Sequence, residues 1–238
     1  MIDLAGKVAV VTGAAGHLGR AVAGRLRELG AHTVLVDGDL ARLREAWPEA
    51  PGGREHLLAG GFDLTADGSL DGVVAEALGR FGRLDILANC VGGFRAGASV
   101  LETPMATWEH LLAINLRSSL TAVRAVIPAM TRQRSGRIVL VAARAAAAGA
   151  AGMAAYAASK AAVVRLAESL AAELKGDGIN VNCVVPGTLD TEQNRRDRPD
   201  ADHSRWVPPA AVADVIAFLA SDAARAVNGA TVPVLGLS

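Results

Sequence analysis

Tyr156 is the only tyrosine of the 238-residue chain, and Lys160, one of three lysines, follows it by four residues. Residues four apart on a helix stand on one face, so this spacing places a phenol and an ammonium in one small site. A free phenol, with a pKa of about 10, is a poor acid–base catalyst at neutral pH; a neighbouring cation favours its phenolate. The pair therefore reads as proton-transfer chemistry.

A second group of residues points to a phosphate-bearing ligand. Thr12-Gly-Ala-Ala-Gly-His-Leu-Gly19 ends a strand-like run and opens a helical pattern. Gly13, Gly16 and Gly19 let the backbone turn tightly and approach a pyrophosphate, while a helix N-terminus at His17 and Leu18 supplies N–H groups and a positive dipole end. Such a loop also occurs as a plain turn; its place on the first strand of a βαβ unit gives it weight. The second strand pattern ends at Asp37, eighteen residues after Gly19, and the first cation beyond it is Arg42. A carboxylate there accepts hydrogen bonds from an adenosine ribose diol and repels a 2′-phosphate, which favours NAD(H) over NADP(H). The alternative is that Asp37 caps the next helix. Asp63-Leu64 closes the third strand pattern and could contact adenine, and Asn89 ends the fourth beside Gly92-Gly93.

The elements that must position these groups alternate along the whole chain. Strand patterns span 7–12, 32–37, 57–62, 84–89, 137–142, 179–185 and 231–235, and helical patterns 18–29, 39–47, 68–81, 106–132, 153–175 and 209–221. Near-continuous Val/Ile/Leu strands separated by helices predict an α/β protein, a single-domain Rossmann fold over residues 1–238. Its doubly wound parallel sheet would have about seven strands, with ligands beyond their carboxyl ends. Residues 188–208, polar and mixed in charge, follow a strand on the ligand side and read as a short lid or as an ordinary solvated connection. The segment 153–175 is small or apolar on nearly all sides, which predicts burial against the sheet and against a second subunit. A homodimer or homotetramer through helices 106–132 and 153–175 is expected.

Composition excludes several classes. Formal net charge is zero, from 24 basic and 24 acidic side chains, so nothing electrostatic favours a nucleic acid or an anionic membrane as partner. The histidines form no HExxH or H-x3-H pattern, and no metal is expected. Cys90 and Cys183 lack C-x-x-C spacing and read as thiols in a reducing compartment. With no leader-like pattern before the first strand, the expectation is a cytoplasmic enzyme acting on a small molecule.

Thr12-Gly13…Gly19, Asp63, Asn89, Asn115, Tyr156-x3-Lys160 and Pro186-Gly187 stand in the order and spacing of the short-chain dehydrogenase/reductase family, which the chain resembles over its whole length. The resemblance implies a hydride-transfer enzyme. Tyr156 would be the proton donor, Lys160 would hold the nicotinamide ribose and lower the tyrosine pKa, and Asn115 would anchor a water in a proton relay. Pro186 and Gly187, with Leu189 and Thr191, would bind the carboxamide and present one nicotinamide face.

The chain departs from the family pattern in three places. His17 stands where a second glycine is common, Cys90-Val91 replaces Asn-Ala, and Ala143 replaces the serine that hydrogen-bonds a substrate carbonyl. Losing such a donor costs on the order of 10²–10³ in turnover. The stretches Ala142–Tyr156 and Pro186–Trp206, with Gly92-Gly93-Phe94, resemble the dihydropteridine reductase-like subgroup, which lacks the serine. That resemblance implies an NADH-dependent reductase of a conjugated electrophile such as a quinonoid dihydropterin, whose electron-poor ring needs less oxyanion stabilisation than a ketone. Asn115 and Phe218–Gly229 resemble the general bacterial family instead. Two alternatives stand beside this reading. One is a general carbonyl or imine reductase or alcohol dehydrogenase, with Arg144 as nearest substitute for the serine. The other is a catalytically weakened NAD(H)-binding protein.

Overall fold

The computed structural model describes residues 2–49 and 55–237. Each of the seven apolar runs forms a strand: β1 (Val8–Thr12), β2 (His32–Asp37), β3 (His56–Gly60), β4 (Ile86–Asn89), β5 (Gly136–Val141), β6 (Ile179–Pro186) and β7 (Thr231–Val234). They make one sheet in the order β3-β2-β1-β4-β5-β6-β7, every neighbouring pair parallel. Parallel neighbours need crossovers, and α1 (His17–Glu28), α2 (Leu40–Ala46), α3 (Asp71–Phe81), α4 (Met105–Leu111), α5 (Ser118–Gln133), α6 (Ala154–Leu174), α7 (Glu192–Asp197) and α8 (Pro209–Ala220) lie along the connections.

Helices cover both faces, so the strands are mostly apolar and side chains still alternate between two cores. Val8 and Val10 pack with α3, α5 and α6, whereas Ala9 and Val11 pack with α1 and α8. Strand order reverses between β1 and β4, and a crevice opens beyond their carboxyl ends. The loops after β1 and β4 meet there.

Three local features differ from the sequence-based expectation. The third strand stops at Gly60 and Gly61 turns the chain off at φ +87, so Asp63 lies in the following turn rather than closing the strand. The helix expected at 106–132 is a continuous run, Met105–Gln133, interrupted by one π-helical stretch at Leu112–Arg117 that contains Asn115. The segment 188–208 is not plain loop: it contains α7 and a 3-10 turn at His203–Arg205. The 29-residue helical run is long and apolar enough by composition to cross a membrane, yet half of that window is buried inside the fold, as in the core helix of a covered sheet.

Candidate active site

The β1–α1 loop is set by backbone sterics. Gly13 has φ +66, and a Cβ there would come within 3.0 Å of the Cys90 backbone. A Cβ on Gly19 would sit 2.0 Å from the Gly13 carbonyl oxygen, so no side chain fits between loop and helix. Helix α1 starts at His17 with Gly16 as an N-cap that has no side-chain hydrogen bond. The first-turn N–H groups of His17, Leu18 and Gly19 therefore point out of the helix end, available to an anion. The loop is braced by Ala14 N–H to the Val36 carbonyl (3.1 Å) and by the Trp47 indole N–H to the Ala14 carbonyl (2.9 Å).

Asp37 stands at the end of β2, where Oδ2 accepts Ala15 N–H (3.0 Å) and Oδ1 accepts Asp39 N–H (3.2 Å). Each oxygen keeps a second lone-pair direction for a ribose hydroxyl. Asp37 is not a helix cap; Asp39 caps α2, accepting from Ala41 and Arg42 N–H. Glycine cradle, uncapped helix end and carboxylate together fit a dinucleotide.

Other residues expected at the cofactor have hydrogen-bond or packing partners within the protein. Asp63 Oδ1 accepts the Thr65 N–H (2.8 Å) and hydroxyl (2.7 Å), which lowers its pKa, with Arg117 adding a smaller pull. The Leu64 side chain is buried in the core, leaving only its backbone for adenine. Asn89 is wholly internal: its Oδ1 accepts the Thr12 hydroxyl (2.6 Å) and its Nδ2 donates to Ser119 Oγ (2.9 Å). Its side chain thus ties β1 and β4 to α5 and does not reach the crevice.

Helix α6 carries Tyr156 and Lys160. The Lys160 ammonium, 5% exposed, donates to the Val141 carbonyl at the end of β5 (3.0 Å). Burial lowers its pKa to about 8, with the Cys183 and Cys90 thiols opposing that slightly. Burial alone pushes the Tyr156 phenol up to about 12. No pull from Lys160 offsets that burial in this arrangement. A Cβ on Gly92 would lie 2.9 Å from both Lys160 Nζ and Asn115 Oδ1, which explains a glycine at that place.

Asn115 is fully buried and acts as a clamp. Its Oδ1 accepts Gly93 N–H (2.9 Å), and its Nδ2 donates to the Gly93 carbonyl (3.1 Å) and to Ser159 Oγ (2.9 Å). Ser159 in turn donates to the Tyr156 carbonyl (2.8 Å), linking the loop after β4 to the helix that bears the phenol. Phe94 of that loop meets the Tyr156 ring edge-on, with centroids 4.9 Å apart. Ala143, extended at φ −164 and ψ 162, opens the 3-10 turn Arg144–Ala146, and neither it nor Ala142 brings a hydroxyl. Arg144 is exposed, and its side chain makes no hydrogen bond or ion pair among the described residues.

Gly187 N–H bonds the Val234 carbonyl (3.0 Å), placing Pro186-Gly187 at the end of β6. Thr191 Oγ1 accepts Asn194 N–H (3.1 Å) as the cap of α7, which leaves its hydroxyl proton and one lone pair for a ligand. Asp190 N–H to the Val207 carbonyl and Val207 N–H to the Thr188 carbonyl, both 2.8 Å, pin the ends of the 188–208 segment together, with Leu189 paired to Val207.

Sequence reasoning missed Trp47, Ser119, Ser159 and the ring contact of Phe94. Trp47 ends a short polar helix, and an indole there, in a chain with three tryptophans, was the available signal. The serines carried none, since their roles depend on which helices meet.

Residues 7–202 match the short chain dehydrogenase family. A cyclohexanol dehydrogenase of Rhodococcus sp. (strain TK6) is 35% identical, over 99% of this chain and 97% of that protein. A D-threitol dehydrogenase of Mycolicibacterium smegmatis is 36% identical, over 98% and 93%. Among solved structures, a carveol dehydrogenase from Mycobacterium avium in complex with NAD superposes with a TM-score of 0.89 at 26% identity, covering 99% of this chain and 98% of that one. With the crevice, the glycine cradle and the Tyr156–Lys160 helix in place, the chain belongs to the short-chain dehydrogenase family, as an oxidoreductase with a nicotinamide cofactor.

Proposed function

We propose that the protein is an NADH-dependent reductase of a small, conjugated electrophile, with a quinonoid dihydropterin as its first candidate substrate. The absence of a hydroxyl at position 143 carries this reading: with Ala142 and Ala143 at the end of β5, nothing there replaces the donor that a developing alkoxide needs. A conjugated acceptor spreads the incoming charge over its ring and depends less on that donor. When bound, NADH supplies the hydride. Tyr156 would supply the proton to the heteroatom that receives the electron pair displaced through the conjugated system when the hydride adds at its other end. Lys160 would donate to the nicotinamide ribose, His17, Leu18 and Gly19 N–H groups would hold the pyrophosphate, and Asp37 would take the adenosine ribose and disfavour NADP(H). Pro186, Gly187, Leu189 and Thr191 would border the carboxamide, and the 188–208 segment, its ends hydrogen-bonded together, would serve as a short lid.

A second reading is favoured by the relatives, whose names include alcohol and diol dehydrogenases: oxidation of a secondary alcohol by the same Tyr156 acting as base. The two are separated by following NADH at 340 nm with quinonoid dihydropterin made in the cuvette, and separately with cyclic ketones and alcohols. Dihydropterin turnover well above the protein-free blank, lost by about 10²–10⁴ in Tyr156→Phe while NADH still binds, supports the first reading. Turnover of alcohols alone sinks it. Assembly into a homodimer or homotetramer is proposed through helices 106–132 and 153–175, the first of which leaves Leu112 and Leu120 more than a third exposed. A monomer by light scattering would refute that.

A further inference from the structure

A cavity of about 460 Å³ lies between the loop after β4, the start of α4 and the start of α6. Its wall includes Phe94, Arg95, Thr103, Thr107, Met153 and Ala155. It adjoins the reacting centre, because Phe94 packs its ring on Tyr156 at 4.9 Å and Ala155 is the neighbour of Tyr156 on α6. Most of the lining is apolar or small, and it holds one charged side chain, Arg95, with no carboxylate. Arg95 makes no ion pair or hydrogen bond among the described residues. The nearby acid Glu102 is engaged by the Ser99 hydroxyl (2.6 Å) and does not line the cavity. The apolar walls and a lone unpaired guanidinium make a pocket suited to a flat or aliphatic body ending in an anion. Both helix starts that border it add positive potential of the same sign.

We propose that Arg95 is a specificity-determining residue that binds a carboxylate on the substrate, so that among carbonyl or conjugated substrates, dihydropterins included, those bearing a carboxylate side arm are preferred over neutral ones. This rests on the assignment of Tyr156 as the proton donor, since that is what makes the cavity the substrate side of the site. Arg95 touches the substrate's remote end and takes no part in the transfer of hydride or proton.

The test uses binding and turnover separately. Benzoate and its neutral counterpart benzyl alcohol are titrated calorimetrically into the NADH-saturated protein, where neither reacts, as parent, Arg95→Gln and Arg95→Lys. The expected result is benzoate affinity falling about tenfold or more in Arg95→Gln, partly restored in Arg95→Lys, with benzyl alcohol unchanged. Equal benzoate affinity in parent and Arg95→Gln, or a parent that binds benzoate no better than benzyl alcohol, overturns the inference. In turnover, an oxo acid and its methyl ester are compared: Arg95→Gln should raise KM for the acid by a similar factor, leaving kcat and the ester alone. Loss of turnover in Tyr156→Phe with no effect of Arg95→Gln on the acid would retain the catalytic reading and remove Arg95. Selective benzoate binding with Tyr156→Phe turnover unchanged would do the reverse.

Discussion

The two halves of the site are built on opposite principles. Over β1 and β2 the surface is backbone: a Gly19 Cβ would sit 2.0 Å from the Gly13 carbonyl, Gly16 leaves the start of α1 uncapped, and Asp37 is fixed by two backbone N–H groups. Over β4 and β5 the surface is side chain and loop: Phe94 stands on Tyr156, Ala143 faces where a donor could be, and Arg95 lines an open cavity. Where chain must approach chain, only one residue type fits, and the ligand that uses that backbone is correspondingly constrained. Where side chains meet a substrate, many types fit the fold equally, so specificity varies without disturbing the sheet. Lys160 stands at the seam, its ammonium on the Val141 carbonyl and its tip against Gly92.

Breaking the first half should have the largest effect. Gly19→Ala forces the Gly13 carbonyl away from the helix, so NADH affinity should fall by more than about 100-fold and stability by about 2–3 kcal/mol. Fluorescence titration and urea unfolding measure both; unchanged affinity would put the cofactor elsewhere.

At the seam the effect is pH-dependent. Burial lowers Lys160 from 10.5 to about 8, so between those values the unfolded chain holds a proton that the folded protein has released. The cost of the buried charge is full below about pH 8 and is relieved as pH rises toward 10.5, so this residue's contribution to stability increases with pH. Relative to Lys160→Met, the parent should gain about 2 kcal/mol in unfolding free energy between pH of about 7 and 9.5. A flat difference would mean that Lys160 is hydrated. Tyr156 has the opposite sign, losing stability above pH 10, outside that range.

Asp37→Arg exchanges a ribose acceptor for a phosphate partner and should move the ratio of NADPH to NADH efficiency upward by about tenfold or more. A constant ratio would remove Asp37 from the ribose site. The smallest change is expected in the second half. Ala143→Ser should raise reduction of simple cyclic ketones by up to about tenfold, less than the 10²–10³ of a fully aligned donor. No gain would place the substrate carbonyl away from position 143.

The same contrast governs what could be read from the residues. Seven strands, the glycine cradle and the Tyr156–Lys160 spacing were legible because each is imposed by local rules: apolar runs for a covered sheet, absent side chains for close backbone approach, helical periodicity for a shared face. Asp63 was misplaced because Gly61 ends β3 early, and Asn89 was assigned to the crevice although it points inward to Thr12 and Ser119. The first difference is a strand end set by one glycine, the second a side-chain direction set by partners distant in the chain.

By itself, then, the sequence determined the family and the sheet, and it singled out the residues proposed to carry a dinucleotide and a proton. The tertiary structure decided how those residues are occupied: Asp39 rather than Asp37 caps α2, Asn115 clamps Gly93 to Ser159, and Lys160 turns to the Val141 carbonyl. It alone assembled Phe94, Arg95 and Ala155 around one cavity. Spacing fixes which groups share an element, whereas hydrogen-bond partners and cavities arise only where elements far apart in sequence pack together.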